Sequence, residues 1–406
     1  MTRTWPRIKD VLSFRDFRHL LGLRLTTQFG DGLFQAVLVG SVVFSPEKQS
    51  TTVGFAKALA ILVIPYSAIG PFAGVFIDRW PRRAILIATP LVRAAAAFLV
   101  VPGAGATIPF YAGALIVLSA NRFLLTTASS ITPKLVPSRD LFTANSVSTV
   151  SGTFTRFIGV VVAGQVVDAT GYVPVVAVTA AVWVLTSWFA SRIETDLSAA
   201  RPAGTLRTEL ARVSGELRDG ARRLVRTTRA IAPIASVMWN QLLNGLILVL
   251  ALVVFRDRFD RGVGSFSWLV GATGVGILFG LATVNFLEDR MSRRAMIATS
   301  FVVSGVPMVA ISLGVNRYDM LVGSFLLGLS FAWMKIPADT MTQEAVPDRY
   351  RGRVFALYDL AQNMAGVVAA LVAIALVHSV SVEILVAATG VGFLLWVPVI
   401  MRWLDR

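Results

Sequence analysis

Asp78-Arg79-Trp80-Pro81-Arg82-Arg83 and Asp289-Arg290-Met291-Ser292-Arg293-Arg294 spell the same D-R-x-x-R-R pattern, 211 residues apart. Each closes one long apolar run and opens the next. Two further echoes keep nearly that offset. Gln28-Phe29-Gly30-Asp31-Gly32-Leu33 returns 213 residues later as Gln241-Leu242-Leu243-Asn244-Gly245-Leu246, and Val136-Pro137-Ser138-Arg139 returns 210 later as Val346-Pro347-Asp348-Arg349. Three matches in one order at one spacing read as the tandem duplication of a half built from apolar segments. Repeated halves around a midplane site are how many secondary transporters are built.

Hydrophobic residues fill 55% of 406 positions, charged residues only 15%, and mean hydropathy is +0.70. A water-soluble chain of this length needs a far more charged exterior, so the solvent is lipid. The apolar runs predict twelve spans, near 19–44, 53–77, 85–101, 110–130, 141–167, 174–190, 231–255, 264–287, 295–313, 319–345, 354–377 and 383–401. The expected fold is therefore an all-α membrane protein of twelve transmembrane helices in two pseudo-symmetric six-helix halves, 1–192 and 230–406. Segment 193–229 joins them. In it, Leu206, Leu210, Val213, Leu217, Ala221 and Leu224 recur every three or four residues while arginines largely take the other faces. That pattern suits an amphipathic helix on the membrane surface. Gly215 and Gly220 leave a solvated, partly helical linker as the alternative.

A net charge of +15 invites a nucleic-acid partner, and its placement argues against one. Of 38 Lys and Arg, 27 lie in the termini and the even-numbered connections, five in the odd connections and six inside spans. Positive loops stay cytoplasmic, so both termini are expected in the cytoplasm of a multi-pass cell-membrane protein. The Arg-rich N-terminus lacks a cleavage site and reads as a retained anchor. Zero cysteines exclude disulfides and thiolate metal sites. His19 and His378 form no ligand cluster, so no metal or cofactor is expected. Gly271, Gly274, Gly276 and Gly280 lack the strand, the acidic partner and the lysine of nucleotide loops. With no ATP motif, the energy source must be an ion or substrate gradient.

Charges inside spans are costly and usually mark a pathway. Arg24, Gln28, Asp31 and Gln35 are spaced four, three and four apart, a polar stripe along one helix face. Asp31 lies twelve residues into its span, about 18 Å down and near the middle of the hydrocarbon. A carboxyl at such depth is desolvated, which favours its neutral form unless a cation holds it ionised. Proton carriage or substrate contact is the first reading; a structural ion pair locking helices is the alternative. Arg122 and Arg156 are its expected switching partners, and Arg93 in the third span has no assignable partner. The duplicated position is Asn244, flanked by Asn240 and Gln241, where amides serve a substrate or glue helices equally well. Asn121 adds an amide in the fourth span. Lys335 and Asp339, four apart, read as a self-neutralising pair. Tyr358, Asp359, Gln362 and Asn363 form a polar patch fit to face a cavity, with Asp359 a further proton-coupling candidate.

Gly74-x-x-x-Asp78-Arg79-x-x-Arg82-Arg83 resembles the loop 2–3 motif of the major facilitator superfamily, with Asp289, Arg290, Arg293 and Arg294 as its copy at loop 8–9. Arg122 resembles the family's span-four arginine, and the stretch Arg156 to Gly164 its span-five antiporter motif. Gln28…Gly30-Asp31-Gly32 and the run Val346 to Phe355 are most similar to the bacterial branch of macrolide efflux pumps and enterobactin exporters. Pro81, Leu125, Thr126 and Val160 depart from the motifs. The resemblance implies proton-driven export of a drug, antibiotic or siderophore by alternating access. The Gly74 and Asp78 loop then acts as a cytoplasmic latch, and Asp78→Asn should slow turnover without changing affinity.

The expected partners are a small-molecule substrate, protons and the bilayer, and a monomer is the expected state. Proton-coupled import of a nutrient uses the same groups and stays open. A transport-inactive scaffold or sensor would need no buried charge stripe. No nucleophile–base pair points to an enzyme.

Overall fold

The computed structural model describes residues 4–43, 80–100, 108–197, 211, 215, 218–222, 224, 227–257, 262–314, 316–377 and 379–403. Its elements are α-helices α1 (Thr4–Ser13), α2 (Arg15–Val43), α3 (Arg82–Ala97), α4 (Ile108–Leu135), α5 (Leu141–Thr170) and α6 (Tyr172–Ser191), then α7 (Thr228–Asp257), α8 (Val263–Glu288), α9 (Arg293–Ser312), α10 (Arg317–Ala345), α11 (Asp348–Val377) and α12 (Val382–Trp403). Two short 3₁₀ turns, Phe98–Val100 and Ser138–Asp140, complete them. No strand occurs among the described residues, as expected where lipid offers the backbone no hydrogen bonds. Ten of the described helices are long and apolar enough to cross a membrane. The first span, α2, falls short of that measure because its polar stripe interrupts the apolar run. The span expected at 53–77 lies outside the described residues, as do Gly74, Asp78 and Arg79 of the first loop motif. In the linker, Ala211, Gly215, Arg218–Arg222 and Leu224 are helical.

Local chemistry ends these helices where the sequence changes. Gly171 is the one described glycine at positive φ, 81°, and lets α6 begin one residue after α5 stops. The fourth position of the second D-R-x-x-R-R motif is an N-cap: Ser292 Oγ accepts from Ala295 N at 3.2 Å. Asn316 caps α10 the same way, accepting from Tyr318 N and Asp319 N at 3.0 Å each.

Helices α1 to α6, with Gly262–Ser267, make one compact unit; α7, α8 from Trp268, and α9 to α12 make another. The same packing scheme recurs inside each. In the first, α2 lies along α5 and α6, and α3 along α4 and α6; in the second, α7 lies along α11 and α12, and α9 along α10 and α12. The duplicated motif explains the tightest of these crossings. A Cβ on Gly32 would overlap Arg156 O of α5, and one on its counterpart Gly245 would come within 2.6 Å of Ala369 Cβ of α11. Small residues let membrane helices approach backbone to backbone. Leu20, Leu23, Leu86, Leu124 and Ile131 centre the first core, and Ile297, Phe301, Met334, Tyr358 and Phe393 the second.

The start of α2 is tied to the segment after α6. Asp16 accepts from Glu194 N at 3.1 Å, Thr195 N at 2.7 Å and Thr195 Oγ1 at 2.5 Å. Arg15 pairs with Glu194 beside it, 2.9 Å. Burial of the Asp16 carboxyl works against its charge, but the bonds from Thr195 and Glu194 outweigh it and hold the group below the ordinary carboxylate value. A lowered folded value means that this stabilisation is complete above the unfolded carboxylate range and fades as pH falls through the folded value. Asp16→Ala should therefore lower the unfolding midpoint of the detergent-solubilised protein at neutral pH, by about 1–3 kcal/mol for the unpaired donors. The gap to wild type should shrink in strongly acidic buffer; an equal gap at every pH would show that the carboxylate is not the cause.

Candidate functional site

The stripe on α2 meets three helices. At its N-terminal end, Arg24 Nη2 donates to Ser129 Oγ of α4 at 2.5 Å. One turn on, Gln28 lies over Gly152 of α5, where a Cβ would sit 3.4 Å from Gln28 Cγ. Asp31 then pairs with Arg93 of α3: Arg93 Nη2 donates to Asp31 Oδ1. At the far end Gln35 Oε1 accepts from both Nε and Nη2 of Arg156, 3.2 and 2.7 Å.

The expected switching partners of Asp31 are thus not its partners in this conformation. Arg93, which the sequence left unassigned, holds it. Arg156 is engaged elsewhere. Its carbonyl packs on Gly32, and its guanidinium is held by Gln35, one turn along α2 from Asp31. Arg122 sits half-buried on α4 next to Asn121, which is 5% exposed.

The Asp31–Arg93 pair is deeply set, with side chains 10% and 1% exposed. Arg93 lies eleven residues into α3, about 16 Å along that helix. Arg93 Nη1 also donates to the buried Thr27 Oγ1 at 2.7 Å, and its Cζ lies 4.0 Å from the ring centroid of Trp183 on α6. Both glycines flanking Asp31 now have roles. Gly30 leaves the space that the Trp183 indole fills, and Gly32 brings α5 in. Phe34 closes the other side of Trp183, ring centroids 5.4 Å apart. Two polar atoms of the pair stay unsatisfied in burial: Asp31 Oδ2 and Arg93 Nε have no hydrogen-bond partner. Thr27, Arg93 and Trp183 are the residues that sequence reasoning missed. An arginine inside the third span was the available signal for Arg93; nothing in the sequence marked Trp183 off from other span tryptophans.

In the second unit the repeated position carries no charge. Asn244 Nδ2 donates within its own helix to Asn240 O at 3.0 Å and Asn240 Oδ1 at 2.7 Å, and Asn240 is 1% exposed. Gln241 lies beside Gly366 of α11. Lys335 does pair with Asp339, 2.7 Å to each oxygen, and adds Tyr358: Nζ reaches its hydroxyl at 3.2 Å and stands 4.4 Å over its ring. Tyr358 is itself 1% exposed, beneath a pair whose side chains are 22% and 28% exposed. Asn121 and Asn240 are buried likewise. Asp359 is exposed and Gln362 and Asn363 half-buried on α11, with Asn363 Nδ2 donating to Asp359 O at 2.9 Å.

The second loop motif works inside its own unit. Arg293 binds Glu288 at the end of α8 (2.9 Å) and both oxygens of Glu344 at the end of α10 (2.7 and 2.9 Å). Arg290 lies over the Phe286 ring, 3.5 Å, while Asp289 and Arg294 complete the turn into α9. In the first motif, Arg83 Nη2 donates to Ser191 O at the end of α6, 2.9 Å, and Arg82 opens α3.

Residues 236–406 match the profile of the Major Facilitator Superfamily. An uncharacterised MFS-type transporter of Mycobacterium tuberculosis is 31% identical over 369 residues, which cover 86% of this chain and 82% of that protein; its Mycobacterium bovis counterpart matches equally. The niacin transporter NiaP of Acinetobacter baylyi is 26% identical over 135 residues, 33% of this chain and 30% of that one. Among solved structures, a POT family transporter in complex with 5-aminolevulinic acid superposes with TM-score 0.76 at 12% identity, covering 96% of both chains. The nucleoside transporter NupG gives 0.75 at 14%, covering 96% of this chain and 100% of that one. A duplicated, all-helical membrane bundle, a charge pair at mid-span and a full-length relative agree: the chain is a multi-pass membrane transporter belonging to the major facilitator superfamily.

Proposed function

We propose that the chain is a proton-coupled exporter of a small organic molecule, of the macrolide-efflux and enterobactin-exporter-like branch, with Asp31 as the coupling carboxyl. The observation that carries this reading is the buried, unbonded Asp31 Oδ2 beside an ionised partner. A buried ion pair using one of two carboxylate oxygens is under-compensated for its desolvation. A proton added at Oδ2 neutralises the acid and leaves the Arg93 guanidinium without its counter-ion, a costly state in a low-dielectric interior. The chain relieves that cost by moving to the other end state, where substrate and proton exchange sides. Asn244 cannot titrate at the repeated position, so the first half carries the coupling.

The remaining parts fit that cycle. Gln28, Gln35, Gln241, Asn244, Gln362 and Asn363 supply neutral polar contacts, Arg122 and Asp359 further charges, and Arg293 holds one cytoplasmic corner together. The halves 1–192 and 230–406 alternate in access, tethered by 193–229, with both termini in the cytoplasm of the cell membrane. Reporter fusions after Pro46 and after Arg229 should lie on opposite sides; finding both on one side would break the topology. In inside-out vesicles with an acidic interior, a macrolide or catecholate siderophore should accumulate and a protonophore should collapse the accumulation. Accumulation only in right-side-out vesicles would support proton-coupled import instead.

A further inference from the structure

Two arginines of the first unit meet no counter-charge among the described residues. Arg93 has Asp31, but Arg24 and Arg156 bond only to neutral oxygens, Ser129 Oγ and Gln35 Oε1, and neither meets a carboxylate among the described residues. Arg24 also keeps a buried Nε with no hydrogen-bond partner. Arg24 begins the α2 stripe that includes Asp31, and Arg156 of α5 binds Gln35 at its other end, about 16 Å away.

Arg156 is the more telling of the two. Its Nε and Nη2 converge on a single amide oxygen. That edge of a guanidinium is the fork that takes the two oxygens of a carboxylate or phosphate in parallel bonds. Gln35 thus occupies, with one neutral oxygen, a site shaped for an oxyanion. Arg156 is nevertheless exposed, and the direction matters. The lipid-side stripe of α5 is Val150, Phe154, Ile158 and Val162, each 40–43% exposed. Arg156 stands two residues from Phe154 and Ile158, about 200° around the helix from each. Its exposure therefore lies on the opposite face of α5 from that apolar stripe, the face that meets Gln35 of α2. A guanidinium facing hydrocarbon would be far costlier.

We infer that the substrate of this transporter is an organic anion, whose carboxylate or phosphate group displaces Gln35 from the Arg156 fork, with Arg24 as the second cation along its path. This rests on the transporter reading above and narrows its cargo to acidic molecules, setting aside basic ones such as a macrolide amine. It also gives Gln35 a purpose: a neutral placeholder satisfies Arg156 in the empty protein without competing strongly with an anion.

The test separates binding from transport. Purified full-length protein is titrated with sodium phosphate against sodium chloride at matched ionic strength, following the thermal unfolding midpoint. Phosphate also stabilises proteins generically by exclusion, so the decisive quantity is the difference between variants. Wild type should show a saturable phosphate-specific rise, and Arg156→Gln should weaken its apparent affinity at least tenfold. Arg317→Gln, on the exposed start of α10, should leave it unchanged. An identical response in wild type and Arg156→Gln overturns the inference. In proteoliposomes, a panel of aromatic carboxylates should be carried in preference to their matched amides, with that preference lost in Arg156→Gln. Carriage of the amides at equal rate, undisturbed by the substitution, also overturns it. The proton-coupling proposal fails separately, by transport that ignores a protonophore.

Discussion

Asp31→Asn should give a protein that inserts but no longer concentrates substrate, and that is also markedly less stable. Both effects follow from Arg93. Removing the carboxylate leaves a guanidinium, 1% exposed, with Thr27 Oγ1 and the Trp183 ring as its remaining contacts. Breaking one side of a buried pair costs about 3–5 kcal/mol, mostly for the charge left behind. The double variant Asp31→Asn with Arg93→Gln removes both charges and should recover much of that stability. It should not recover gradient-driven transport, because no titratable group remains in the pair. Thermal unfolding and counterflow on the two variants separate the roles. If the double variant regains uphill transport with coupling intact, the pair is structural glue and protons travel elsewhere. Downhill exchange surviving in Asp31→Asn is the expected residual activity.

Gly32→Val should be among the most damaging single substitutions outside the charge pair. Even a methyl there would overlap Arg156 O, and Val160 N lies 2.8 Å from the same point. These are backbone atoms of a packed helix and have no rotamer to yield, so α2 and α5 must separate. Overpacking commonly costs about 1–3 kcal/mol and more when backbone is the obstacle. Separation would also carry Arg156 away from Gln35, so binding should fall with stability. The repeated position offers a graded comparison. At Gly245 the nearest obstacle is a side-chain methyl, Ala369 Cβ at 2.6 Å, and the nearest backbone atom, Gly366 O, is 3.4 Å away. Gly245→Ala should be milder than Gly32→Ala, by folded yield and unfolding midpoint. Equal losses would mean that the crossing of α2 on α5 is not set by this contact.

The duplication was legible because both copies obey one packing rule. Gly32 and Gly245 sit at equivalent places in the repeated motif, and the structure puts each at the crossing of its half's first span with its fifth. Span positions were legible because hydropathy reports the lipid-facing stretch. The span expected near 354–377 is found at Arg353–Val377, while its helix α11 begins earlier, at Asp348, because Arg349 and Arg351 extend it past the apolar part. Asp31 was legible from depth alone. Its partner was not, because pairing between helices depends on rotation and register, which periodicity within one helix does not encode. Arg122 and Arg156 were plausible by charge, and Gln35 is what holds Arg156 instead. Burial of Asn121, Asn240 and Tyr358 was hidden for the same reason: polarity marks a residue as special without saying which way it faces.

The central claim is that Asp31 takes and releases a proton during the cycle, and infrared difference spectroscopy reads that directly. Spectra of the reconstituted protein, with and without an imposed acid step, should show a protonated carboxyl band that Asp31→Asn removes and Asp359→Asn retains. A wild-type spectrum without that band, or a band that survives Asp31→Asn unchanged, would contradict the account.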